Sequence, residues 1–405
     1  MSYKQLGRSK TLTFFSWAGT HMGFRFHHSV VDYMLDFLCR RKLFDDMKCL
    51  LITASLHNQG SVSCKALSIC IRFLGRNGRI REALSLFEEM GTVFRCEPDN
   101  LVYNNMLYVL CKRQSSEEMV DLALSIFHRI QSPDTYSCSN MLVGLCKVGR
   151  LEAALEIFGR MDEIGVLPSR SAMNILIGEL CSMSAKEGSV EKTEEAVDIL
   201  MIAEERKLTC VGEGYSIVIQ ALCKHRRVEE VSKLFGRMLQ HGLKPKLVVY
   251  NSIISMLCKL GNLSHATRVY EIMNKKRCLP DNTTYAALIH ANGERKNWKV
   301  AYDLLTEMLG FGWIPHFHTY NLVESLLREH DQLDLCCKLE RKLENKKLQK
   351  LCKNGQLDAA YEKAKSMLEQ GICLSQSARD TLQDVFQKCG KLNVVRQLLD
   401  TTNRV

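Results

Sequence analysis

Proline is scarce in this chain of 405 residues, with 6 in all, and tryptophan scarcer still, with 3. No stretch approaches the ~18 consecutive apolar residues of a membrane-spanning helix, so no membrane span is expected. There are 18 cysteines, yet no two stand at C-x-x-C spacing, which excludes zinc ribbons and thioredoxin-type redox motifs. G-x-x-x-x-G-K-[ST] is missing, and with it the phosphate loop of a nucleotide hydrolase. Neither H-x-E nor P-C-x-x-C occurs, and a zinc deaminase needs both. The low proline count, 15 Phe and 12 Tyr, with 46% hydrophobic and 25% charged residues, argue against disorder. Net charge is +10, an excess that permits a polyanionic partner without demanding one.

What is present is repetition. Met238, Met273 and Met308 are 35 residues apart, as are Pro245, Pro280 and Pro315. Ala266 and Ala301 keep the same spacing, and so do Tyr215, Tyr250, Tyr285 and Tyr320. Cys111, Cys146 and Cys181 follow it too, as do Cys223 and Cys258. A cysteine that recurs with the repeat reads as a small, soft core residue in a reducing compartment, with no disulfide or metal role. A period of this length marks a solenoid or a propeller, and the pattern inside one unit decides which.

Tyr250, Ile253, Ile254 and Leu257 form an i, i+3, i+4, i+7 stripe, one face of a helix. Gly261-Asn262 breaks it, and Ser264 is expected to cap a second helix striped by Ala266, Val269, Tyr270 and Met273. Lys275-Lys276-Arg277 place cations at the negative end of that helix, and Pro280 forbids its continuation. The small Ala266 and Ala301 mark places where helices approach closely. No β-type alternation appears. Each unit is therefore a helical hairpin, too small to bury its own apolar face, so units must stack. The expected fold is all-α: a right-handed α-solenoid superhelix of about ten helix-turn-helix repeats.

Units are expected to start near 28, 64, 100, 135, 170, 212, 247, 282, 317, 341 and 376. The expected divisions are an N-terminal segment with an incomplete repeat (1–27), a regular array (28–316), irregular, partly fused repeats (317–375) and a capping repeat (376–405). Two insertions, in "RQSSEEMV" and "SMSAKEGSVEK", are polar and expected in turns, where added length costs little. Between Asn321 and Asn345 only 24 residues replace the usual 35. Near "KLERKLENKKLQKL" one unit's second helix must therefore merge with the next unit's first, producing a stacking defect.

The opening Val248-Val249-Tyr250-Asn251, the first-helix ending L-C-K, the second helix Ala154, Leu155, Phe158, Met161 and the closing Gly242 to Pro245 together resemble the pentatricopeptide repeat, in its pure form of 35-residue units. The tetratricopeptide repeat fits less well, since it wants a Trp-x-x-Leu-Gly-x-x-Tyr opening and a shorter period. The resemblance covers nearly the whole chain, including "FFSWAGTHMGF" as an entry segment. It implies binding of single-stranded RNA, one nucleotide per repeat.

The resemblance also implies which residues read bases: the one after the first-helix tyrosine and the one after the closing proline. Here these are Ser68 with Asp99, Asn104 with Asp134, Ser139 with Ser169, and Asn174 with Val211. Ser216 with Lys246, Asn251 with Asp281, and Ala286 with His316 follow. Asn321 lacks a clear partner, and Asn345 pairs with Ser375. An amide offers a base edge both donor and acceptor, whereas Ser leaves room for a purine. The two Asn/Asp pairs resemble uridine readers, Ser68/Asp99 a guanosine reader and Asn345/Ser375 a pyrimidine reader. Val211, Lys246, Ala286 and His316 depart from the family's pattern. Leu101, Val248 and Thr283, with Tyr136, Ser171 and His318, occupy positions that wedge against bases in the family. Lys112, Lys147, Lys224, Lys259 and Lys353, the lysines of L-C-K, lie near phosphates there. A lysine at a helix C-terminus also has a purely structural reason to exist.

No catalytic residue, metal site or cofactor is expected, nor a small-molecule substrate. His27-His28, His316 and His318 have no ligand partners at metal spacing, and Cys336-Cys337 reads as one core residue and its neighbour. The expected role is support of organellar transcript processing, splicing, stability or translation, alongside protein co-factors. The rival from another class is a protein-binding solenoid scaffold. Lys4, Arg8, Lys10 and Arg25 precede the first acidic residue, Asp32, as in an organelle transit peptide. The mitochondrion is expected, the chloroplast second.

Overall fold

The computed structural model describes Trp17 and residues 27–57, 62–112, 116–206, 211–390 and 392–401, and among these every regular element is a helix. The incomplete repeat and the transit-type segment expected before residue 27 lie outside the described residues, apart from Trp17. In chain order the first helices are α1 His28–Arg40, α2 Phe44–His57, α3 Cys64–Arg76, α4 Ile80–Thr92, α5 Asn100–Lys112 and α6 Glu117–Phe127. Next are α7 Thr135–Lys147, α8 Leu151–Glu163, α9 Arg170–Glu187, α10 Glu191–Glu205 and α11 Val211–Lys224. Then come α12 Val228–Gln240, α13 Leu247–Lys259, α14 Leu263–Lys275, α15 Asn282–Glu294 and α16 Trp298–Gly310. The last are α17 Phe317–Glu329, α18 Leu333–Lys353, α19 Leu357–Glu369, α20 Gln376–Lys388 and α21 Leu392–Thr401.

The chain divides into two compact units, Met1–Val218 and Ile219–Val405. In the first, α1, α3, α5, α7 and α9 pack side by side in order, and each pairs with the helix that follows it. In the second, α13, α15 and α17 form the same row, with α14, α16 and α18 as their partners. All-local pairing of this kind is what stacked hairpins require.

The stripes read from the sequence are the buried faces. Tyr250, Ile253, Ile254 and Leu257 are buried on α13, and Ala266, Val269, Tyr270 and Met273 on α14. Ala266 and Ala301 are both 0% exposed, the alanines of close helix approach. Gly144 does the same work between α5 and α7: a Cβ there would stand 2.6 Å from the Cys111 sulfur. At the end of α13, Gly261 adopts φ +71°, and its neighbour Asn262 donates its N–H back to the Leu257 carbonyl at 2.8 Å, closing the helix with a left-handed turn.

Four expectations need correction. Ser264 is not the cap of α14: that position belongs to Asn262, and Ser264 lies inside the first turn. The insertion "SMSAKEGSVEK" does not sit wholly in a turn. It lengthens α9 to 18 residues, ending at Gly188 with φ +68°. Ser184, buried in that extension, donates to the Ser189 carbonyl at 2.5 Å and accepts from Thr193 at 2.7 Å. Satisfied in this way, the polar insert extends a helix at little cost. Third, although the recurring cysteines stand outside any disulfide, Cys64 and Cys96 are joined by one, their Cα atoms 6.3 Å apart. They stand outside the recurring position, where the hairpin returns the unit's tail to the start of its first helix. The fourth concerns the shortened region, where the two helices merge as expected but the expected stacking defect does not follow. "KLERKLENKKLQKL" lies within one continuous helix of 21 residues, α18. It packs on α17 as a second helix and on α19 and α20 as a first helix, so the row continues through it.

Cys111, Cys146, Cys223 and Cys258 are buried, and burial pushes the first three thiols up to about 12 and Cys258 to about 11. Near pH 8 their thiolate fraction falls by roughly 1000-fold against a free thiol for a rise of three units. Cys49, Cys337, Cys373 and Cys389 are exposed. Iodoacetamide at pH 8 should therefore alkylate these four in the native protein and the recurring cysteines only in denaturant, as read by peptide mass spectrometry. Native alkylation of Cys146 would contradict the core assignment.

Candidate nucleic-acid interface

The residue after each closing proline is the N-cap of the next first helix. Asp99 accepts from the Val102 N–H at 2.9 Å, and Asp134 from the Tyr136 and Ser137 N–H groups at 2.9 and 2.8 Å. Ser169, Asp281 and Ser375 cap α9, α15 and α20 in the same way. Asp and Ser are favoured caps because they satisfy helix N–H groups that have no intrahelical partner. Their recurrence here thus has a structural cause that sequence spacing alone does not separate from base reading.

The residue after the first-helix tyrosine supplies what capping does not require. Asn104 donates Nδ2–H to Asp134 Oδ2 at 2.9 Å, 30 residues on. Asn251 donates to both oxygens of Asp281 at 3.0 and 3.2 Å. One carboxylate therefore caps a helix and fixes the orientation of the preceding unit's amide, with the amide oxygen turned away. In the first pair that oxygen, Asn104 Oδ1, is buried and has no hydrogen-bond partner. In the second, Thr284 Oγ1 donates to Asn251 Oδ1 at 2.5 Å. A buried acceptor left unfilled is costly and calls for a ligand or another explanation.

The remaining pairs differ. Ser169 donates its N–H to Ser139 Oγ at 2.8 Å, so these two meet with Ser139 almost fully buried. Ser68 does not meet Asp99: its hydroxyl accepts from Asn105 Nδ2 at 2.5 Å and is buried. Asn174 donates to Glu213 at 3.2 Å, two residues beyond its expected partner Val211. Ser216 donates to its own helix, at the Gly212 carbonyl, 2.7 Å away. Asn321 is half-buried on α17. Asn345 meets Ser375 but is 5% exposed, and its amide donates to the Arg341 and Cys373 carbonyls while its oxygen accepts from the Ser375 N–H. Both amide hydrogens are occupied by backbone, so the side chain clamps α18 to the start of α20. This is a structural role that spacing alone did not reveal.

Leu101, Tyr136 and Val248 are 51%, 69% and 55% exposed, far beyond what core packing leaves, and Thr283 is exposed at the same position. Phe317, 72% exposed at the start of α17, is a further aromatic here that sequence reasoning passed over for its neighbour His318. Lys147, Lys224, Lys259 and Lys353 are exposed at the last position of their helices. The side chain of Lys112 lies outside the described residues. Where Ala286 replaces the amide, a cavity of about 530 Å³ opens between α13 and α15, lined by Ser255, Cys258, Lys259, Ala286, His290 and His316. Among the described residues no group of three His, Cys, Asp or Glu could hold a metal, and no helix is long and apolar enough to cross a membrane.

Two family models match the chain. That for the PPR repeat family covers residues 133–182 and 245–293, and that for the PPR repeat covers 66–92, 214–243 and 283–313. Among curated proteins, the small ribosomal subunit protein mL104 of Arabidopsis thaliana is 25% identical over 92% of this chain and 66% of its own length. A mitochondrial pentatricopeptide repeat-containing protein of the same plant is 28% identical over 62% of this chain and 57% of its own length. The crystal structure of the maize pentatricopeptide repeat protein PPR10 aligns with 98% of this chain and 62% of its own, at 18% identity and a TM-score of 0.45. The chain thus spans about two thirds or less of the length of these relatives. Since the models fall on the 35-residue hairpins whose period, tyrosine and closing turn are described above, the chain carries pentatricopeptide repeats over these residues.

Proposed function

We propose that the chain binds single-stranded RNA, one nucleotide per regular repeat, as a member of the subfamily built purely of 35-residue units. The observation that carries this is the Asn–Asp pair across consecutive units, with Asn104 Oδ1 buried and unfilled. Uracil presents an N3–H donor to such an acceptor, and single-stranded bases are free to be read on that edge. Exposed Leu101, Tyr136 and Val248 supply apolar surface beside each base, and the recurring lysines offset phosphate charge. Binding without turnover then protects or exposes an organellar transcript, in the mitochondrion before the chloroplast, and protein co-factors act on what is exposed.

The test is fluorescence anisotropy with labelled single-stranded RNA, competed by polyuridine and polycytidine across a salt series. Polyuridine should compete more strongly, affinity should fall steeply with salt, and the RNA should be recovered intact. Equal competition by both polymers would overturn base reading. Cross-linked RNA recovered from purified mitochondria should carry the preferred sequence, and its recovery from the cytosol alone would overturn the compartment.

A second reading rests on the relative named for the small ribosomal subunit: the RNA held is ribosomal, and the protein is a stable component of an organellar ribosome. Co-sedimentation with the small subunit at high salt separates this from transient binding to transcripts.

A further inference from the structure

A dense run of one charge lies on α18. Lys338, Lys342, Lys346 and Lys350 succeed one another at four-residue steps, and Lys353 lies three residues beyond. On a helix such positions are neighbours, about 5–6 Å apart between Cβ atoms, so the five lysines share one flank. Lys338, Lys342, Lys350 and Lys353 are exposed, and Lys346 is half-buried. Glu344, on the same helix, is held by Lys347 at 2.8 Å and by Lys363. No carboxylate of the described residues lies within 4.0 Å of any of the five. Like charges at this spacing destabilise a helix, and here three successive pairs stand without an acidic partner within salt-bridge distance.

The same helix carries Asn345, the base-reading position, and its side chain is buried with both amide hydrogens given to backbone carbonyls. What this unit offers at its surface is therefore cations, each with three freely rotating donors and no edge-specific geometry.

We propose that the lysine flank of α18 is a sequence-independent clamp for the phosphate backbone of an RNA strand, so that this unit holds RNA without reading it. The flank is continuous with the recurring lysine, since Lys353 is both the last rung and the lysine of its L-C-K. The shortened repeat would otherwise be a gap in the track, and merging two helices into one places four further cations along it. The proposal rests on RNA binding by the chain, and assigns this unit a different role from those at Asn104 and Asn251.

The test compares the full chain with a variant carrying Lys338→Gln, Lys342→Gln, Lys346→Gln and Lys350→Gln. Its affinity for unrelated single-stranded RNAs should fall by one common factor, roughly tenfold or more at 0.1 M salt. The slope of log affinity against log salt should shrink by about 3, at about 0.7 per phosphate lost. Sequences selected from a randomised pool should be unchanged. Removing like-charge pairs does not weaken the helix, so the thermal midpoint should hold or rise, and the four-arginine counterpart should keep the wild-type slope. An unchanged slope with intact selectivity overturns the clamp alone. A reduced slope with no sequence preference, in wild type and variant alike, overturns base reading and leaves the clamp standing. Loss of preference at a single nucleotide in the glutamine variant would mean that this unit reads a base, contrary to the proposal.

Discussion

Tyr285→Ala is expected to cost about 3–5 kcal/mol, the range for removing a large buried aromatic. Tyr285 is 0% exposed in the first turn of α15, edge-on to Tyr270 with ring centroids 6.2 Å apart. Its hydroxyl lies 3.5 Å from that of Tyr270, which donates to Glu307 Oε1 at 2.9 Å. The substitution removes the ring contact and leaves a cavity between α15 and its neighbours, whereas Tyr285→Phe gives up only a long hydroxyl contact and should cost about 1 kcal/mol or less. Because each hairpin touches only adjoining ones, the loss should be local. Amide hydrogen exchange should show α15 and α16 losing protection while α20, three hairpins on, keeps it. Uniform loss along the chain would mean that the array unfolds as one body.

Asn251→Ser is expected to shift preference at one nucleotide from uridine towards guanosine by about 1–3 kcal/mol, roughly 5- to 150-fold. Asp281 orients the amide, so removing the amide removes the group that would meet the base edge. Asp281→Ala is the poorer probe. It deletes the cap of α15 as well, at about 0.5–2 kcal/mol with no RNA present, and would confuse stability with reading. Asp281→Ser keeps a capping oxygen and separates the two. Thr284 adds a contrast: its hydroxyl must turn from Asn251 Oδ1 before a base can donate there, whereas Asn104 Oδ1 is already unfilled. Discrimination should therefore be sharper at the Asn104 unit, and Asn104→Ser should move the selected sequence further than Asn251→Ser. Selection from a randomised RNA pool decides this, and identical consensus sequences from wild type and both variants would overturn the reading.

Much of this protein was legible without coordinates because stacking imposes a period. A hairpin that must bury one face against identical neighbours repeats its tyrosine, its cysteine and its small alanine at one interval, so 35-residue spacing exposed both the helices and their buried stripes. The pairing of Asn104 with Asp134 and of Asn251 with Asp281 followed from the same register, because the end of one unit lies beside the start of its first helix.

Spacing could not say what each partner was already doing. Asp134 and Asp281 are helix caps as well as anchors, since a short carboxylate at that position meets free N–H groups whether or not RNA is bound. Asn345 keeps the register of a reader, yet it lies against the turn before α20, where the Cys373 carbonyl and the Arg341 carbonyl of its own helix take its hydrogens. The polar insertion after Asn174 reads as a turn, but became helix once Thr193 and the Ser189 carbonyl satisfied Ser184 in its core. Composition and period therefore determined which hairpins form and which positions face one another. Tertiary structure alone decided which polar groups remain free, because a hydrogen bond depends on where three atoms lie, and that is settled only when neighbouring units pack.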